Sequence, residues 1–167
     1  MRLQILSVLA AGLFLAACSS DEPVETASTQ GAGSTTQTGA ASSNSTVTPG
    51  SLDDFNQNVG NTVYFAFDRY DLSAEAQSQL QKEAAWLQQY PQHTLTVEGH
   101  CDERGTREYN LALGERRANS IANYLTALGL DKARVSTISY GKERPICTDS
   151  NESCYSQNRR GVSAINQ

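Results

Sequence analysis

The residues best suited to chemistry lie in one stretch, Gly99-His-Cys-Asp-Glu-Arg-Gly-Thr-Arg-Glu-Tyr-Asn-Leu-Ala-Leu-Gly-Glu-Arg-Arg-Ala118. Carboxylates, guanidinium groups, an imidazole and a thiol gather there, enough to hold a charged ligand or to assemble a hydrolytic centre. Asp102 and Arg117 stand fifteen positions apart. Opposite charges so placed either converge on a ligand or neutralise one another as an internal ion pair. Asp68, Asp71, His100 and Asp102 are also of the type that holds a divalent ion. Against a hydrolase, the chain has only two histidines, His93 and His100, and no H-E-x-x-H or C-x-x-C spacing. No nucleophile stands beside an evident base, so the stretch reads as a binding site that needs no cofactor. Arg104, Arg107 and Arg116 taken singly read as solvated surface charges. Tyr109 and Trp86 read as core or core-edge aromatics, and His100 as a brace for its loop.

Elements on both sides must position these groups. Thr62–Phe67 is aromatic and β-rich and predicts a strand. Ser73 can cap a helix to about Gln89, with Ala76, Leu80, Ala84 and Leu87 on one face and Pro91 beyond its end. Thr94–Glu98 alternates as a second strand. Thr106 can cap a longer helix with Leu113, Ala118, Ile121, Ala122, Leu125 and Leu128 on one face, and Gly129 suits its C-terminal end. Val135–Tyr140 and Gly161–Ile165 complete the strands. The order β-α-β-α-β-β implies an α/β domain, a small mixed sheet covered by helices. Asp102 then precedes the second helix and Arg117 lies about three turns along it, so the loop must fold back for the two to meet.

The N-terminal end carries a different message. Residues 1–17 read as a secretory signal, with Arg2 near the start and an uncharged run from Leu3 to Ala17. About fifteen uncharged residues are short for a membrane span, which needs roughly 20. Leu15-Ala16-Ala17-Cys18 forms a lipobox, which implies cleavage before Cys18 and acylation of that cysteine. The competing reading is an ordinary secreted chain with a chance cysteine. Several acyl chains would hold a protein to a bilayer where one does not. Ser19-Ser20 follows in place of the aspartate that keeps related lipoproteins in the inner membrane, so the outer membrane, periplasmic face, is expected. Residues 18–51 are almost wholly small and polar, with no aromatic, Leu or Ile, and read as a disordered tether. Its relaxed span is on the order of 30 Å, with a reach of roughly 100 Å. The domain is expected over 52–167. The whole chain carries a formal charge of −5. That balance argues against nucleic acid as a partner and against bulk attraction to anionic polymers.

The motifs resemble those of the outer-membrane protein A family, in the wording of its lipoprotein branch. Gly99-His100-Cys101-Asp102, Gly105-Thr106, Tyr109-Asn110, Leu113-Gly114 and Arg117-Ala118 appear in the family's order, with FAFDRYDLS before them and QNRR after. The resemblance covers roughly 54–165 and implies a domain that binds meso-diaminopimelate in the stem peptide of peptidoglycan. The free end of that residue is a zwitterion. The resemblance assigns its ammonium to Asp102 and its carboxylate to Arg117, with the backbone around Phe67 and Asp68 completing the carboxylate contacts. Arg104, Asn110 and Leu113 would line the pocket. The lipoprotein branch further implies the Tol–Pal system, which draws the outer membrane inward at division, with the periplasmic TolB propeller as a partner. A lipid-anchored wall-binding scaffold outside that system is the alternative.

Three cysteines remain once Cys18 is set aside. Cys147 and Cys154 flank the polar loop TDSNES, and in an oxidising compartment they are expected to form a disulfide, leaving Cys101 a buried thiol. A zinc site drawn from His100 and the cysteines is the competing idea. Many relatives lack cysteines in this loop, so the resemblance does not decide between them.

Overall fold

A computed structural model describes residues 47–166, so the leader, Cys18 and most of the tether lie outside the described residues. A helical turn α1 (Leu52–Asp54) runs into a π turn at Phe55–Val59, followed by β1 (Thr62–Tyr64) and α2 (Ala74–Gln89). Then come β2 (Thr94–His100), α3 (Arg107–Ala127), β3 (Val135–Gly141), α4 (Glu152–Asn158) and β4 (Arg160–Asn166). The sheet order is β1-β4-β2-β3. β4 runs antiparallel to both neighbours, and β2 and β3 form the parallel pair. A parallel pair needs a long crossover, and α3 supplies it.

Both long helices start where a hydroxyl is available. Ser73 Oγ accepts from the Ala76 amide at 3.2 Å, and Thr106 Oγ1 from the Tyr109 amide at 3.2 Å. Gly129, at φ +101°, ends α3 in the left-handed conformation that a side chain would resist. Leu80 and Leu87 of α2 pack with Ile121 and Leu125 of α3 over Val63, Leu95 and Val97 of the sheet. The predicted α/β architecture with a mixed sheet is therefore the one observed.

Three differences bear on the site. β1 ends at Tyr64 and not Phe67, because Ala66–Arg69 closes into a turn, with the Arg69 amide on Ala66 O at 3.2 Å. Asp68 in that turn sits at φ +56°, alone among the described non-glycine residues. The polar loop after β3 contains a helix, α4, capped by Asn151, whose side chain accepts from the Cys154 amide at 3.0 Å. And the chain is held from before residue 52. Gly50 donates to Asp54 Oδ2 at 2.8 Å, and its carbonyl lies 2.9 Å from His93 Nε2. Small polar residues concealed that hook, since its holding partners are Asp54 and His93.

One approach fixes how α3 meets β2. A Cβ on Gly99 would stand 1.8 Å from Gly114 O, so backbone touches backbone there and no side chain fits. The register of β2 and β3 also shifts at Gly99/His100, where the strand runs into the Asp102 loop. Gly99→Ala is expected to destabilise the domain by about 3 kcal/mol or more, since backbone has to move. A urea midpoint unchanged from the natural chain would contradict this packing.

Glu83 of α2 is fully buried, with Gln79 donating to Oε1 at 3.2 Å. Its Oε2 has no well-formed hydrogen bond, the buried Ser163 offering only a marginal one. Burial pushes its carboxyl up to about 7, against the pull of those two neighbours. The folded pKa thus exceeds the unfolded one, and stability falls as pH rises from about 4.5 toward 7. Between pH 4.5 and pH 8 the natural chain is expected to lose on the order of 3 kcal/mol that Glu83→Gln does not lose. Parallel unfolding profiles for the two would count against it.

Candidate ligand-binding site

A cleft of about 200 Å³ opens where the turn after β1, the loop after β2 and the first turns of α3 meet. All seven residues expected from the sequence line it: Phe67, Asp68, Asp102, Arg104, Asn110, Leu113 and Arg117. Cys101, Gly105, Tyr109 and Arg159 line it as well.

Arg117 is the most deeply placed. It has no exposed surface, and its guanidinium donates to Arg69 O at 2.8 Å, His100 O at 2.7 Å and Ala66 O at 3.2 Å. Burial lowers its pKa, and these carbonyls compensate for the lost water. Three of the five N–H groups of an arginine are thereby engaged, so an incoming carboxylate meets at most two. The amides of Phe67 and Asp68 make no hydrogen bond within the protein, among the described residues. Arg117→Lys keeps the charge but not the fork. It is expected to cost about 2–4 kcal/mol of unfolding free energy, because carbonyls buried around it lose their donors. A loss below about 0.5 kcal/mol, the scatter of surface changes, would show that the three bonds carry no weight.

Asp102 does not pair with Arg117. Its Oδ1 accepts from the Arg104 amide at 3.2 Å and from Arg104 Nε at 3.1 Å. Its Oδ2 accepts from Arg104 Nη2 at 2.6 Å and from Arg159 Nη1 at 3.4 Å. Burial alone would raise this carboxyl. The Arg104 bonds and charge, with help from Arg159, hold it below the usual range. Four donors saturate a carboxylate, so a ligand ammonium must displace one of them. Arg104 is the movable partner, since its side chain is 36% exposed and that of Arg159 only 8%.

The remaining residues shape the cleft. Asn110 closes the loop by donating to Arg104 O at 2.7 Å and Thr106 O at 3.0 Å. Leu113 is a buried apolar wall. Tyr109, expected near the core, is 44% exposed and donates its hydroxyl to Asp68 across the cleft. Trp86 is buried, as expected of a core aromatic. His100 braces the site through its backbone carbonyl, which accepts from Arg117, and its ring Nε2 lies 3.4 Å from Glu98 Oε2. That ring is buried, and burial with Arg160 and Arg144 pushes it down to about 4. Arg107 and Arg116 stand outside the cleft.

Residues 64–159 match the OmpA family. Over 119 residues the chain is 52% identical to the peptidoglycan-associated lipoprotein of Brucella melitensis, 71% of each chain. The chain belongs to the OmpA family. It is also 52% identical over 118 residues to the peptidoglycan-associated lipoprotein of Agrobacterium fabrum, covering 71% of this chain and 67% of that one. The crystal structure of the peptidoglycan-associated lipoprotein from Burkholderia pseudomallei superposes with a TM-score of 0.66 at 39% identity, over 69% of this chain and 98% of that one. The C-terminal domain of Helicobacter pylori MotB, 19% identical with a TM-score of 0.57 over 63% of this chain and 84% of that one, shares the fold.

Within this OmpA domain the cleft is built to hold charges. The Cys101 thiol, which also lines it, is pushed up to about 11 by burial and donates to Asn110 O at 3.3 Å. Asp68, Asp71, His100 and Asp102 do not form a metal-holding group, and no set of three or more His, Cys, Asp or Glu does so among the described residues. Cys147 and Cys154 are joined by a disulfide, which removes both from a zinc set. Arg159 was missed as a cleft residue. The QNRR wording marked its neighbourhood, but nothing in local spacing says that an arginine before β4 reaches a loop 57 positions earlier.

Proposed function

We propose that this chain is an outer-membrane lipoprotein that binds peptidoglycan non-covalently, linking that membrane to the cell wall without catalysis. The half-identity to peptidoglycan-associated lipoproteins supports the coarse reading. One observation carries the finer one: a single cleft holds an acid, Asp102, a buried cation, Arg117, and the unengaged amides of Phe67 and Asp68. These match the poles of a meso-diaminopimelate zwitterion. The carboxylate would meet the two amides and the remaining Arg117 donors, and the ammonium would take the place of Arg104 on Asp102. A ligand lacking either pole would leave a desolvated charge unpaired, which costs several kcal/mol and gives selectivity.

The remainder of the proposal rests on the lipobox and the small polar stretch after it. Cys18 would carry the lipid, that stretch would serve as the tether, and the folded part, to which Gly50 and Ser51 are already hooked, would bind the wall. The relatives' identity also supports a place in the Tol–Pal system, where a TolB-like propeller would compete for the same cleft rim. The test is titration of the full chain, purified in detergent, with a diaminopimelate-containing stem peptide and with its lysine analogue, which lacks the second carboxylate. The natural chain is expected to prefer the diaminopimelate form, and Asp102→Ala to lose at least about ten-fold in affinity. Equal affinity for both peptides would overturn zwitterion recognition.

A further inference from the structure

The acid end of the cleft is held from outside by α4, a helix too short to persist by itself. Seven residues make two turns, far below the length at which an isolated helix is stable. Two ties fasten it at Cys147. The Cys147–Cys154 bridge joins its first turn to the loop between β3 and α4. At its last residue, Asn158 accepts from the Ile146 and Cys147 amides at 2.9 and 3.2 Å and donates to Cys147 O at 2.7 Å.

So fastened, α4 presents two side chains to the cleft's own arginines. Glu152 Oε1 accepts from Arg159 Nη2 at 2.6 Å, and its Oε2 lies 3.7 Å from Arg104 Nη1. The Tyr155 ring centroid is 4.4 Å from the Arg104 guanidinium carbon, and the Phe67 centroid is 4.1 Å from it. Tyr155 also donates to Glu103 Oε1 at 2.9 Å, where Ser150 donates at 2.7 Å, binding α4 and the segment before it to the Asp102 loop. Arg104 and Arg159 are in turn the groups that orient Asp102.

We infer that Glu152 and Tyr155 are positioning residues for ligand binding, and that the Cys147–Cys154 bridge sets them. The bridge acts on Asp102 through Arg104 and Arg159, and touches no ligand itself. Glu152 also gives Arg104 a second carboxylate to rest against when a ligand ammonium displaces it from Asp102. Without the bridge, α4 and these two side chains must be ordered at the moment of binding, and affinity falls.

This rests on the stem-peptide reading, and the experiment separates the two. The full chain in detergent is titrated calorimetrically with the diaminopimelate-containing stem peptide in four forms: natural, Cys147→Ala/Cys154→Ala, Glu152→Gln/Tyr155→Phe, and all four changes together. Either pair is expected to weaken binding about three- to ten-fold, the size of losing one ordered long side chain. The combined form should be no more than about two-fold weaker than the worse pair, since both pairs break one chain of contacts. Losses that multiply, as unrelated damage to stability would, overturn the inference. Amide exchange at Arg104 should quicken in the bridge-free form while that at buried Ile121 stays unchanged. If the bridge-free form does not fold, the Glu152→Gln/Tyr155→Phe form decides, and binding within about two-fold of the natural chain overturns the inference. No binding by the natural chain overturns the stem-peptide reading and this inference together. Natural binding with unaffected variants overturns this one alone.

Discussion

The buried guanidinium of Arg117 is the constraint on which the cleft depends. A charge removed from water is tolerated only when its donors are met, and here three carbonyls meet them. Two belong to the turn after β1 and one to the end of β2, while the arginine itself comes from α3. Three segments, separated by 48 and 17 positions from Arg117, thus become mutually dependent. The contact of Gly99 with Gly114 brings α3 near enough to β2 for this to happen, one turn before Arg117. Fold and cleft are not separable layers of this molecule. The side chain that would take a ligand's carboxylate is also the one that holds the cleft's walls together.

Asp102 sits in the opposite situation. Arg104 and Arg159 saturate it, so the acid that the proposed ligand would use is occupied before any ligand arrives. Arg104, Arg117 and Arg159 outnumber the acids deep in the cleft, although the chain as a whole carries −5. Overall charge and local charge therefore serve different ends. The acidic surface discourages loose attraction to anionic polymers. The cationic recess would suit a carboxylate that arrives with its own ammonium, as the proposed ligand does.

Much of this was legible in the sequence, and the exceptions share a cause. Ser73, Thr106 and Gly129 mark helix ends by local chemistry, and the elements appear where those signals lie. The seven candidate residues meet in one cleft because the family wording preserves the spacing that folds them together. What local spacing could not reveal depends on distant partners. Arg159 reaches Asp102 only because β4 lies beside β2, the Gly50 hook exists because His93 and Asp54 close on it, and α4 forms inside a run that reads as polar loop. Phe67 looked like the continuation of a strand. Asp68 instead bends the backbone into the left-handed region, leaving Phe67 59% exposed at the mouth of the cleft.

The Gly50 hook has a mechanical side. Chain connectivity puts it ahead of β1, so any pull entering from the N-terminal side loads Gly50, Asp54 and His93 before it reaches the strand pairs. Trp86 reinforces the same point, its indole donating to Asp54 at 2.8 Å and lying against Phe55. Beyond β1 comes the Ala66–Arg69 turn, whose carbonyls clasp Arg117. Tension must undo the hook and then peel β1 from β4 before it reaches that turn. Along the chain, the cleft lies downstream of both links.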